Sequence, residues 1–185
     1  MKLQSFRGGT ILCAMNELDQ AWSEVLADAL EKAHSSGRND IADYLRLRST
    51  NDLVRQTAVD WLIGAFTNLA ANESVRSPGL KIEREEPHDF PMRGANIVGT
   101  KLTIRQGVRC LTIEAGWTRT PGDGFMRGGS LAFARLRHFG IPGEDVDLGL
   151  NRSEDLPIWQ FAAHEGFKGE FDLSDVHRHL EILLS

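Results

Sequence analysis

Between residues 119 and 130 the chain reads RTPGDGFMRGGS. Gly122, Gly124, Gly128 and Gly129 let the backbone take left-handed conformations and come close to a ligand. Arg119 and Arg127 flank the segment, and an arginine grips phosphate or carboxylate through two parallel hydrogen bonds. Ser130 reads as the cap of a helix over 131–139, ended by Gly140 and Pro142. The amides of Gly128, Gly129 and Ser130 would then open that helix, where unpaired N–H groups favour an anion. Arg135 and His138, three residues apart, would share one helical face and complete the rim. The expected ligand-binding set is therefore Arg119, Arg127, Gly128, Gly129, Ser130, Arg135 and His138. Its occupant would be a phosphate, a nucleotide or an acidic protein partner. The segment lacks the GK[ST] of a P-loop, and Met126-Arg127 after Gly124 breaks a dinucleotide GxGxxG. The same glycines would also serve a loop that only turns the chain.

A second chemistry is open to the acids and histidines. Glu114 and Asp123 could hold a divalent metal, with His88 or His138 as base and the arginines on substrate phosphates, as in a hydrolase of phosphodiester bonds. The competing reading of Glu114 is an ion pair with Arg109 or Arg119. His177 and His179 are two residues apart on an expected helix, a spacing that points them to different sides, so no zinc pair is expected. No GxSxG elbow anchors a serine triad. Cys13 and Cys110 each sit in an apolar stretch without a CxxC partner and read as buried, reduced thiols. No metal and no cofactor are expected.

Charge is distributed unevenly. The chain carries a formal net charge of −5, which disfavours nucleic acid as a partner without excluding it. From residue 93 to 137 there are eight cations, seven of them arginine, against two acids. From residue 144 to the end there are ten acids against three cations. The two halves could neutralise each other within the fold, or the basic stretch could face an anion.

The elements that must position these residues follow from periodicity. Asn16 can cap a helix with Leu18, Trp22, Val25, Leu26 and Leu30 at 3.6-residue spacing, ended by Ser35-Ser36-Gly37. A short helix is expected over 39–47, and another, capped by Thr50 or Asn51, runs to Leu69. Ser77-Pro78-Gly79 breaks the helical texture. Residues 80–83 alternate as a strand, and 87–91 (PHDFP) read as a rigid loop. Residues 96–105 and 108–117 form an expected hairpin about Gln106-Gly107. Strands are expected over 146–150 and 156–163, and Ser174 caps a final helix with Val176, Leu180, Leu183 and Leu184 inward.

Helices followed by strands indicate an α+β fold, with N-terminal helices packed on a mostly antiparallel sheet and a C-terminal helix. The 185 residues suit one domain, with a helical part over 1–76 and a sheet-containing part over 79–185. Residues 10–15 are too short an apolar run for a secretory signal, and no stretch approaches a membrane span. A cytoplasmic protein without a membrane partner is expected. It would act as a binding or accessory module, as the hydrolase above, or as an interaction domain. In the last case the apolar faces bearing Trp22, Trp61 and Phe66 would serve a homodimer or a partner protein.

Overall fold

The structure, a computed structural model, describes residues 17–74, 77, 79–154, 156–164 and 166–185, with side chains except at 17–23, 121 and 127. Asn16, Cys13, Pro78 and residues 10–15 lie outside the described residues, as does the Trp22 side chain. The chain divides into two compact units, Met1–Thr50 and Asn51–Ser185. That division falls inside a helix, not at the 77–79 segment where the composition changes.

In the first unit, helix α1 (Glu17–Ser35) ends where expected. Gly37 takes φ +70°, and the Arg38 and Gly37 amides donate to the Ala33 and His34 carbonyls. This pairing is the Schellman closure, and it requires a left-handed residue at that place. Ala33 and Ala42 are buried, while Val25, Tyr44 and Leu47 are exposed. Helix α2 (Asn39–Ser74) follows. It replaces the two helices expected over 39–47 and 50–69. The hydroxyl of Thr50 donates back to the Arg46 carbonyl one turn earlier, so it rides inside the helix and caps nothing.

The second unit is built on one seven-stranded antiparallel sheet in sequential order. Its strands are β1 (Lys81–Met92), β2 (Ala95–Gln106), β3 (Arg109–Trp117), β4 (Ala132–His138), β5 (Val146–Asn151), β6 (Ile158–Ala162) and β7 (Phe167–Glu170). Helix α3 (Leu173–Leu184) closes the chain. The α+β layout is as expected. One face of the sheet carries Leu102, Ile104, Leu111, Ile113, Leu136 and Leu148. These pack with Leu62, Ile63 and Phe66 of α2 and with Val176, Leu180 and Leu183 of α3. The opposite face holds a smaller cluster of Phe90, Met92, Ala95, Ile97 and Phe133.

Three local expectations are corrected. Residues 87–91 belong to β1, whose pairing slips between Glu85 and His88; Pro87 has no N–H for the ladder, and the strand absorbs it as a bulge. Residues 131–139 are strand β4, not a helix. Ala132, Ala134, Leu136 and His138 alternate inward against Phe133, Arg135 and Arg137, a period of two that overrides the capping signal. Ser130 therefore caps nothing, and its hydroxyl donates to Asn151 at 2.8 Å. β7 was not anticipated, because four residues with two polar side chains and a glycine leave no periodic trace.

The sheet also demands glycine at a cross-strand pair. Gly99 of β2 faces Gly116 of β3. A Cβ on Gly99 would overlap the Ala115 carbonyl oxygen, and one on Gly116 the Val98 carbonyl oxygen. A Cβ on Gly149 of β5 would meet side chains instead, the Phe167 ring and the Ser130 hydroxyl.

Candidate functional site

Strand alternation puts Glu85, Lys101, Glu114 and Arg135 in register across β1 to β4 on the face opposite the helices. Glu114 is only 7% exposed. Arg135 Nε donates to Glu114 Oε2, and His88 Nε2 lies 2.6 Å from Glu114 Oε1. His88 Nδ1 faces Glu85 Oε1 at 3.2 Å, and Lys101 Nζ stands 3.5 Å from Glu85 Oε2. Arg135 also lies 5.1 Å from the centre of the Phe90 ring. Burial alone would raise the Glu114 carboxyl; the hydrogen bonds from Arg135 and His88 outweigh it and hold the group below the ordinary carboxylate range. Glu114 is thus ion-paired, but with Arg135 and not with Arg109 or Arg119.

The sequence-derived binding set is dispersed. Arg135 and His138 point to opposite faces of β4, because residues three apart on a strand cannot share one. His138 is buried on the helix side, where Nε2 sits 2.9 Å from Nδ1 of His179 on α3 and the rings stack. Ser130 is buried. Arg119 lies over the Trp117 ring, 3.7 Å from its centre. The Arg127 side chain lies outside the described side chains. Arg137 pairs with Asp145 and Asp147, and Arg109 Nη1 donates to the Ile182 carbonyl of α3. Part of the central positive charge is therefore neutralised by the acidic tail and by a helix C-terminus.

The two acids proposed for a metal have separate partners, Glu114 with Arg135 and His88 and Asp123 with its own loop. Asp123 Oδ2 accepts from the Thr120 amide, the Thr120 hydroxyl and the Arg119 amide, at 2.7, 3.0 and 3.1 Å. The Thr120 amide above all, with Asn96 assisting, holds that carboxyl below its ordinary range. Asp123 is thus the clasp of its own loop. Among the described residues no three histidines, cysteines or acids are grouped to hold a metal ion. Cys110 is a free thiol and half-buried, not fully buried as expected; Cys13 lies outside the described residues.

What the loop does gather is a different arginine. Asn96 reaches Asp123, and Gly124 packs on the backbone of Gly94 and Ala95, so the glycine-rich segment lies on the turn joining β1 to β2. Arg93 occupies that turn with φ +51°. Its guanidinium sits 5.7 Å from the centre of the Phe133 ring and 5.6 Å from that of Phe167. Gly128 lies against the same Phe167 ring. Gly128 and Gly129 are exposed, with φ of +78° and +74°. Among the described residues no carboxylate pairs with Arg93. Sequence reading counted Arg93 only as one of eight cations. The Met92-Arg93-Gly94-Ala95 turn was hidden because 87–91 read as a loop.

Comparison with protein-family models, with curated proteins and with solved structures returned no match. Among the described residues no helix is long and apolar enough to cross a membrane.

Proposed function

We propose that the chain is a binding module that holds a small anionic group at the corner formed by Arg93 and the glycine-rich loop. The observation that carries this reading is an exposed guanidinium, held by two aromatic rings beside exposed glycine backbone and matched by no acid among the described residues. Ring contacts restrict the arginine without using its N–H donors, so those donors remain for oxygen atoms of a phosphate or carboxylate. Gly128 and Gly129 place no Cβ between the backbone and that ligand. Glu114, His88 and Arg135 act as the fixed floor of the sheet in this reading, since their charges satisfy one another.

The test is a thermal-shift series with inorganic phosphate, a nucleoside monophosphate and chloride at matched ionic strength. A ligand that binds only the folded chain must raise the midpoint. Arg93→Asn removes the guanidinium with a residue suited to positive φ, so the fold is retained. Phosphate and the nucleotide are expected to raise the wild-type midpoint and leave the variant unmoved. An equal rise in both proteins removes Arg93 from the site.

A further inference from the structure

We infer that the ligand of the Arg93 corner is a phosphorylated sugar, with its phosphate on Arg93 and the glycine loop and a sugar hydroxyl on the side-chain amide of Gln160. This inference rests on the anion reading of that corner and adds the other end of the ligand. Phe133, Gly149 and Gln160 are cross-strand partners on β4, β5 and β6. All three therefore open on the face opposite the helices, where Arg93 lies against Phe133. The Phe167 ring and the Ser130 hydroxyl fill the space over Gly149, and the same ring borders Gly128. From Ser130 a chain of hydrogen bonds runs across the strands. Its hydroxyl donates to Asn151 Oδ1 at 2.8 Å, and Asn151 Nδ2 donates to Gln160 Oε1 at 3.0 Å. The anion corner and the Gln160 amide are thus joined through Gly128, Phe167, Ser130 and Asn151.

The chain of hydrogen bonds ends on an unused donor. Gln160 is half-buried, and among the described residues nothing accepts from its Nε2. A carboxamide is neutral and holds no second anion by charge. It offers an N–H to a ligand oxygen and the second lone pair of Oε1 to a ligand O–H. A hydroxyl group uses both. The next partner in the row is Glu170. Its exposed carboxylate repels a second phosphate, so the far end of the ligand is uncharged. Two strand spacings, about 10 Å, separate the backbones of Phe133 and Gln160, a span that suits a pentose monophosphate held between two side chains.

Calorimetric titration with ribose 5-phosphate and ethyl phosphate at neutral pH separates the two ends of the ligand. Both are phosphate monoesters, and only the first carries hydroxyls. Ribose 5-phosphate is expected to bind about tenfold more tightly, a difference of roughly 1.4 kcal/mol. Gln160→Leu should bring the two esters to one affinity. Gln160→Glu keeps the acceptor for Asn151 while removing the N–H donors, and it should erase the preference as well. Equal affinities in the wild type, or a preference for ribose 5-phosphate that survives both variants, would overturn the sugar assignment and leave the anion corner standing. Binding of neither ester would overturn the corner itself, and this assignment with it.

Discussion

Glu114 is a carboxylate removed from water by its own sheet, and it stays ionised because Arg135 and His88 both donate to it. Deleting one member of such a cluster leaves the others desolvated and unpaired, which costs more than the pair contributes. Glu114→Ala should therefore destabilise the chain by about 2–4 kcal/mol in urea unfolding. Anion binding at Arg93 should be unchanged in the folded fraction. A stability change under about 0.5 kcal/mol would show that the cluster is not held as described. The glycine pair makes a sharper demand. Gly99→Ala and Gly116→Ala each drive a methyl into backbone carbonyl, which cannot rotate away. Each should cost upwards of about 2 kcal/mol, whereas Gly143→Ala, with open space around it, should change stability by less than about 1 kcal/mol.

At the scale of elements, α3 docks on the sheet through Val176, Leu180 and Leu183 and through a histidine pair. His138 on β4 and His179 on α3 share one hydrogen bond in a buried place. Burial pushes His179 down to about 4, with the neighbouring His138 and Arg178 adding to the shift. His138 is lowered too, by burial against the opposing pull of Asp145 and Glu144. Both rings fold as neutral bases, so the unfolded chain binds more protons between pH 6.5 and 4. Stability is then full above the ordinary histidine range and falls as pH drops through that window. His179 alone should remove about 2 kcal/mol between pH 7 and pH 5, read from urea midpoints. His179→Leu should flatten that slope. The same strand shows where sequence reading failed. Ser130, Gly140 and Pro142 mimic helix signals at both ends of β4, and only the alternation of small and charged residues between them reports the strand. For the β2–β3 hairpin no such conflict exists. Its β-branched runs state one answer, and β2 and β3 pair along them, with the turn one residue later than expected, at Gly107-Val108.

Across the whole molecule, the order of helices before strands was enough to specify an α+β fold, because each unit of periodicity belongs to one element. Placement of the site was not legible in the same way. Whether Arg119, Arg135 and His138 converge depends on which face of a strand or helix each occupies, and a single wrong element sends them to opposite sides of the sheet. Arg93 gained its place only when 87–91 proved to be strand, which carries the turn at Arg93-Gly94 onto the glycine loop. The central claim, that Arg93 and the loop form an anion site, is reached most directly by amide chemical shifts during a phosphate titration. The account predicts saturable shifts at Arg93, Gly94, Gly128 and Gly129, with the amides of β5 and α3 unmoved and the whole response lost in Arg93→Asn. Shifts that never saturate, or that centre on residues away from this corner, would contradict it.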